Sequence, residues 1–152
     1  MINLSRGMSD MELFRQLRLP AAGTPGAGIV CTWLGTAGVC ISDPDTALLI
    51  DPYVSRFSLP AVTLRRPLRP DVSLVRECSR MLGRVRIRAV IVSHSHFDHV
   101  ADAPLFARET GALLVGSEST INVGRGAGLE EKRMRIARPT FMVLSEPTRS
   151  AP

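Results

Sequence analysis

The sequence predicts an α/β fold because of the order in which its apolar segments and its histidines occur. Three short apolar runs at residues 29–34, 37–42 and 46–51 predict a strand meander near the start of the domain. A strand, a histidine cluster at residues 93–100, a helix and a further strand follow. This alternation is typical of α/β domains, in which strand ends face a ligand. The chain has 152 residues, of which 45% are hydrophobic and 22% charged, enough for one domain with its own core.

The meander is predicted from its turns. "GT" separates the first two runs and "DPD" separates the second from the third, and both are turn-forming sequences. The third run contains "ALLI", which is apolar on both faces and therefore predicts an interior strand. That strand ends at Asp51, where a carboxylate can project from the strand end.

The remaining elements follow in order. Residues 53–70 contain three prolines and predict a loop with a short helical turn. Asp71 is predicted to cap a helix that Gly83 closes, and the apolar positions of this helix recur at helical spacing: Leu74, Val75, Cys78, Met81 and Leu82. "RAVIVS" predicts a buried strand that leads to the histidines. Asp102 is predicted to cap a helix through Thr110, before a strand at "ALLVG".

Three segments are expected along the chain. Residues 1–28 form an N-terminal extension, in which Ser9 and Glu12 have capping-box spacing ahead of a Gly/Pro-rich linker. Residues 29–137 form the domain, and residues 138–152 form an atypical polar, proline-bearing tail.

The net charge of +5 raises the possibility of nucleic-acid binding, but the distribution of the charge favours a solvated surface. The excess is almost all arginine, since Lys132 is the only lysine. In "GRVRIRAV", Arg84, Arg86 and Arg88 alternate with apolar residues, as on a strand with one face in water.

Other classes of protein are disfavoured by what the sequence lacks. No apolar run approaches the roughly 18–20 residues of a membrane span, and the first residues lack the apolar core of a secretory signal, so we predict a cytoplasmic protein. Cys31, Cys40 and Cys78 are odd in number and widely spaced, which argues against a disulfide framework.

All three histidines of the chain lie in "SHSHFDHV", and this segment predicts a metal site. His94 and His96 are alternate residues at a strand end and can point to one metal, while Asp98 and His99 can face a second point beside it. Imidazole and carboxylate ligands suit zinc better than calcium or magnesium. The alternative is that these are ordinary surface or core histidines, which the clustering at the end of an apolar strand disfavours.

"SHSHFDHV" resembles the H-x-H-x-D-H signature of the metallo-β-lactamase superfamily. "WLGTAGVCI" and "ALLIDPYVSR" resemble the branch that includes ascorbate-6-phosphate lactonase-like and phospholipase D-like hydrolases. The resemblance implies an αβ/βα sandwich built from two similar halves, with a one- or two-metal site in the cleft between them. It further implies that Asp98 steers the attacking hydroxide and that Asp51 supports the site.

By this resemblance His94 and His96 bind the first metal, Asp98 and His99 bind the second, and a metal-activated water attacks a lactone, an amide or a phosphoester. The members of the family supply further ligands from a second half. This chain has no histidine after His99 and no aspartate after Asp102. We therefore expect the N-terminal half of the sandwich, truncated and incomplete as a metal site.

Three functional hypotheses stay open at this point. The chain is part of a metal-dependent hydrolase, or it is a catalytically inactive remnant that binds metal weakly. In the third hypothesis another chain completes its site, or its arginines contact nucleic acid. A half sandwich should also expose apolar sheet surface, which predicts self-association.

Overall fold

The computed structural model describes residues 28–64, 67–82 and 85–138. Within these ranges six strands form one sheet in the order of the sequence. The first three strands pair antiparallel, and the pairs from β3 to β6 are parallel. The strands are β1 (Val30–Gly35), β2 (Gly38–Ser42), β3 (Thr46–Ile50), β4 (Arg86–Ile91), β5 (Leu113–Gly116) and β6 (Met134–Ile136). The predicted α/β class, the meander and the interior position of β3 are confirmed.

Helices connect the parallel strands. They are α1 (Leu59–Thr63), α2 (Val72–Leu82), α3 (Phe97–Val100), α4 (Ala103–Thr110) and α5 (Glu118–Gly126), and a 3-10 turn (Glu131–Arg133) precedes β6. The short helical turn in the proline-rich loop, the helix after Asp71 and the helix that ends at Thr110 are confirmed. The sequence analysis predicted neither α5 nor β6.

The two predicted aspartate caps differ in the structure. Oδ1 of Asp71 accepts hydrogen bonds from the amides of Ser73 and Leu74 at 3.0 and 3.1 Å, so Asp71 caps α2 as predicted. Asp102 occupies the residue before α4, but its side chain makes no capping hydrogen bond to that helix. The predicted capping role of Asp102 is therefore wrong, because its carboxylate binds a distant loop instead.

One face of the sheet is buried beneath helices. α4 packs against β4 and β5, α5 packs against β5 and β6, and α2 packs against α4. A single row of side chains crosses all six strands on this face, and every member is buried: Thr32, Cys40, Leu49, Val90, Leu114 and Met134. This row places the hydrophobic core between the sheet and the helices.

The opposite face of the sheet is apolar and open. Its side chains form two rows, one through Cys31, Ile41, Leu48, Ala89 and Leu113, the other through Trp33, Val39, Ile50, Ile91 and Val115. Trp33 is 40% exposed and Leu48 is 38% exposed, and the other members are exposed or half-buried. The structure thus has the exposed apolar surface expected from the sequence, while self-association stays a prediction.

Several expectations fall outside the described residues. They include the capping-box helix near Ser9, the helix-closing Gly83 and residues 139–152 of the tail. Among the described residues, no helix is long and apolar enough to cross a membrane. The cytoplasmic location and the segment boundaries stay predictions.

Candidate functional site

The candidate site lies where two parallel strands end side by side. β3 and β4 are neighbours, and Ile50 is paired with Ile91 at their carboxyl ends. Asp51 follows β3, and the segment "SHSHFDHV" begins two residues after β4. Ligand sites of α/β proteins form at such carboxyl ends because the loops that follow adjacent strands converge there. The fold therefore brings Asp51 to the histidine segment, 42 residues further along the chain.

Asp51 is a buried carboxylate that holds this segment. Its Oδ1 accepts a hydrogen bond from the Ser93 amide at 2.8 Å, and its Oδ2 accepts one from the Ser93 hydroxyl at 2.6 Å. The backbone of Asp51 has a left-handed φ of 45°, which aspartate tolerates better than most side chains. Its own amide donates to the carbonyl of Ile91 at 2.9 Å. Asp51 is therefore bonded to the end of β4 through both its backbone and its side chain.

The hydroxyl of Ser93 fixes the tautomer of His94. Oγ of Ser93 also lies 3.2 Å from Nδ1 of His94. A serine hydroxyl has one proton, and an ionised carboxylate can only accept, so that proton is donated to Asp51. Towards His94 the hydroxyl can then only accept, which places a proton on Nδ1. Nε2 of His94 consequently carries the lone pair that a metal ligand needs.

The three imidazoles form one cluster. The ring centroids of His94 and His96 are 4.7 Å apart, and those of His94 and His99 are 3.8 Å apart. His94 and His96 are exposed, whereas the side chain of His99 is only 14% exposed. His96 directly precedes α3, and its carbonyl accepts hydrogen bonds from the amides of His99 and Val100. The short helix thus places His99 back against His94.

His99 lies between two carboxylates. Its Nδ1 is 3.0 Å from Oδ2 of Asp51, although the contact lacks the direction of a hydrogen bond. Its Nε2 is 3.7 Å from Oδ2 of Asp98, whose side chain is 45% exposed. All five residues singled out in the sequence, Asp51, His94, His96, Asp98 and His99, are therefore gathered at one end of the sheet.

The donor types of this cluster fit a divalent metal, since imidazole nitrogens and carboxylate oxygens are the ligands of zinc and related ions. Their arrangement is incomplete. Within residues 28–64, 67–82 and 85–138, no three His, Cys, Asp or Glu side chains converge so as to hold a metal ion. The cluster thus has the chemistry of a metal site without a closed coordination shell.

A second buried carboxylate supports the loop after Asp51. Asp102 is fully buried, and it accepts hydrogen bonds from the amides of Val54 and Ser55 at 2.7 and 2.8 Å and from the Ser55 hydroxyl at 2.6 Å. Burial raises the pKa of the Asp102 carboxyl, while these hydrogen bonds act in the opposite direction. Asp102 therefore ties the segment that follows Asp51 to the start of α4.

An aromatic group lies next to the histidines. Tyr53, Phe57 and Phe97 pack together, with ring centroids 5.7 to 6.3 Å apart. Phe97 is part of the histidine segment and is 38% exposed. Burial raises the pKa of the Tyr53 hydroxyl, and the charges of Asp102 and Asp98 act in the same direction. These rings form an apolar wall beside the cluster.

Hydroxyl groups hold the other side of the histidine segment. Oγ of Ser95 lies 2.9 Å from Oγ of Ser117 and 2.9 Å from Oγ1 of Thr120, which is fully buried. Ser117 precedes α5, so this contact joins the histidine segment to that helix. The sequence analysis identified none of Ser93, Ser95 or Thr120, because isolated hydroxyl residues carry no pattern.

Comparison with known proteins places the chain in a family. The family model of the metallo-beta-lactamase superfamily matches residues 41–151. The chain therefore belongs to the metallo-beta-lactamase superfamily, as its histidine segment predicted. The match includes most of the segment predicted as an atypical tail.

The chain is similar to several proteins described as UPF0173 metal-dependent hydrolases. It is 33% identical over 107 residues to the protein of Myxococcus xanthus, which covers 70% of this chain and 32% of that protein. It is 34% identical over 85 residues to the protein of Anaeromyxobacter sp. (strain K), covering 55% of this chain and 25% of that protein. The chain thus spans about a quarter to a third of the length of these relatives.

Among solved structures, the chain is similar to a metallo hydrolase from the hyperthermophilic archaeon Ignicoccus hospitalis. The TM-score is 0.49 at 17% sequence identity, and the alignment covers 74% of this chain and 41% of that chain.

Proposed function

We propose that this chain carries the His/Asp metal-binding part of a metal-dependent hydrolase. The observation that carries the proposal is the gathering of all three histidines of the chain at the carboxyl ends of β3 and β4, with His99 between Asp51 and Asp98. The relatives named metal-dependent hydrolases support it. Because the matched segment covers only 25–32% of those relatives, the activity of the whole protein is part of the proposal.

We assign His94, His96, Asp98 and His99 as ligands, and zinc as the metal that their mixture of nitrogen and oxygen donors suits. A bound zinc ion lowers the pKa of water and polarises the bond under attack. The protein contributes orientation: Ser93 holds the proton of His94 on Nδ1 and leaves Nε2 for coordination. Asp51 acts as a positioning residue for Ser93 and His99.

Asp98 is the proposed catalytic residue. Its carboxylate is half exposed, so it can accept a hydrogen bond from an attacking water and direct the water towards a substrate. We propose a lactone, an amide or a phosphoester as substrate, as in the branch that includes ascorbate-6-phosphate lactonase-like and phospholipase D-like hydrolases. The net charge of +5 mildly favours an anionic substrate.

A second candidate function follows from the incomplete donor arrangement. Since no three donors converge among the described residues, the chain on its own would bind a metal weakly or only after another chain supplies ligands. In that case it is catalytically inactive by itself.

Native mass spectrometry after zinc loading tests both candidates, because one spectrum reports the assembly state and the number of metals per chain. We expect zinc binding that His96→Ala abolishes and that Glu131→Gln, a change at an exposed carboxylate paired with Arg125, leaves intact. Zinc retained in full by His96→Ala would refute the ligand assignment.

Hydrolysis assays separate the two candidates. The loaded chain is assayed with a lactone and with bis-p-nitrophenyl phosphate. Turnover that depends on both zinc and His96 supports the hydrolase. Zinc binding without turnover on either substrate supports the inactive metal-binding chain.

A further inference from the structure

A cavity lies at the end of the sheet that is opposite to the histidine segment. It has a volume of about 520 Å³ and opens between the last turns of α2, the first residues of β4 and the end of α4. The length of β4 separates the cavity from the histidine segment. Arg86 at the start of β4 lines the cavity, whereas the histidine segment follows Ile91 at the end of β4, roughly 15–20 Å away. The polar side chains that line it are Arg76, Arg80, Arg86, Ser79, Thr110 and Glu109.

The cavity has an excess of positive charge. Nε of Arg76 lies 3.0 Å from Oε2 of Glu109, so these two charges are paired. No carboxylate in the described part of the chain forms an ion pair with Arg80 or Arg86. Two arginines without an ion pair therefore line one cavity, where a concave protein surface strengthens the attraction of their charges for an anion.

The cavity also contains a buried hydroxyl without a partner. Oγ of Ser79 is inaccessible to solvent and makes no hydrogen bond to any described residue. The second hydroxyl that lines the cavity has a partner, since Oγ1 of Thr110 donates a hydrogen bond to the carbonyl of Phe106 at 2.7 Å. Buried polar atoms are nearly always hydrogen-bonded, so the hydroxyl of Ser79 would gain a partner by turning towards an acceptor in the cavity.

We propose that this cavity binds a small phosphorylated molecule. Arg80 and Arg86 would pair with its phosphate, because the planar guanidinium donates two parallel hydrogen bonds to phosphate oxygens. The side chain of Ser79 would turn towards the cavity and donate its hydroxyl proton to a third oxygen. Val85 and Ile87 complete the lining and would contact an apolar part of the molecule. The volume lies within the range of about 300–1,000 Å³ that is usual for small-molecule sites.

The ordinary alternative is a solvated basic surface. Arg80 lies in the last turn of α2, where a cation interacts favourably with the helix dipole, and this explains Arg80 alone. It explains neither the second unpaired arginine nor the buried hydroxyl. Arg86 was predicted to lie on a strand face in water, and it is exposed, but it lines the cavity whereas Arg88 on the same strand does not.

Calorimetric titration of the full chain with inorganic phosphate and with phenyl phosphate, in the presence of EDTA, tests the proposal. We expect saturable binding that Arg80→Gln or Arg86→Gln weakens by about tenfold or more. The matched control Arg88→Gln removes the same charge from the same strand and should change the affinity less than about twofold. Phenyl phosphate should bind more tightly than inorganic phosphate, because its ring can contact Val85 and Ile87.

Ser79→Ala provides an independent readout. This variant should bind phenyl phosphate several-fold more weakly, while its melting temperature without ligand stays equal or rises, because a buried hydroxyl without a partner is removed. A lower melting temperature with unchanged phosphate affinity would overturn the assignment of Ser79.

Three further results would overturn the proposal. The first is the absence of saturable phosphate binding, and the second is an equal loss of affinity in Arg88→Gln and Arg86→Gln. The third is salt-dependent binding of duplex DNA without binding of phenyl phosphate, which would assign the arginines to a nucleic-acid backbone. His96→Ala should bind phenyl phosphate like the unmodified chain, so this result is independent of the proposed metal site.

Discussion

Replacement of Asp51 by alanine should destabilise the protein strongly. The carboxylate accepts two hydrogen bonds from Ser93, at 2.8 and 2.6 Å. Hydrogen bonds to charged groups contribute about 1.5–3 kcal/mol each, and an alanine in left-handed backbone adds roughly 1 kcal/mol. Because Ser93 is exposed, we take the lower value of about 1.5 kcal/mol for each hydrogen bond. Together with the backbone contribution, Asp51→Ala should then lower the free energy of unfolding by about 4 kcal/mol. That is a large share of the roughly 5–15 kcal/mol that stabilise a domain.

Asp51→Asn is the matched control. Asparagine also tolerates left-handed backbone, and its carbonyl oxygen can still accept from the Ser93 amide, so the expected loss is about 1–2 kcal/mol. Urea unfolding of both variants, followed by circular dichroism, measures the difference. Equal losses below about 1 kcal/mol in both variants would refute the reasoning.

If Asp51 also positions the metal ligands, Asp51→Asn should bind zinc about 10–100-fold more weakly although it stays folded.

Three further predictions concern other parts of the molecule. Asp102→Ala leaves buried donors without an acceptor and should lower the free energy of unfolding by about 3 kcal/mol or more, measured by urea unfolding. Burial raises the pKa of Cys40 to about 11 and that of Cys78 to about 12, so both stay protonated at pH 8. Iodoacetamide should then modify the exposed Cys31 first, and mass spectrometry should show one rapid adduct. Leu48→Lys places a charge on the open sheet face and should weaken self-association by about tenfold or more, measured by analytical ultracentrifugation.

Each of these predictions has a contradicting result. If the free energy of unfolding of Asp102→Ala lay within about 1 kcal/mol of that of the unmodified chain, Asp102 would not be needed to hold its loop. Simultaneous modification of all three cysteines in the folded chain would contradict the burial of two of them. Sedimentation as a monomer before any substitution would exclude association through the sheet face.

The sequence determined the features that depend on short-range patterns. Apolar runs with turn formers between them predicted β1, β2 and β3 to within one residue, since alternation and turn chemistry are local. Helical periodicity after Asp71 predicted α2 for the same reason. The spacing of the histidines predicted the site, because four donors in six residues after an apolar strand must lie close together wherever the chain folds.

Features that depend on contacts between distant segments could be read only from the tertiary structure. α5 contains two glycines, which argue against a helix. Yet a Cβ atom at Gly124 would lie 2.7 Å from the sulfur of Met134 and 2.8 Å from a methyl of Leu114, so a larger residue fits there only if these two buried side chains shift. Such a close approach cannot be derived from local propensity.

The role of Asp102 and the cavity between α2 and β4 were likewise decided by the fold. Asp102 looked like a helix cap because it stands before an apolar helix, but its hydrogen-bond donors are 47 and 48 residues earlier in the chain. Arg80 and Arg86 share a cavity only because α2 ends where β4 begins. The sequence by itself therefore determined the histidine cluster and the strands that carry it. Only the packing of the elements decided which hydrogen bonds hold that cluster, from Ser93 to Asp51 and between Ser95 and Thr120, because these bonds join residues that no local pattern relates.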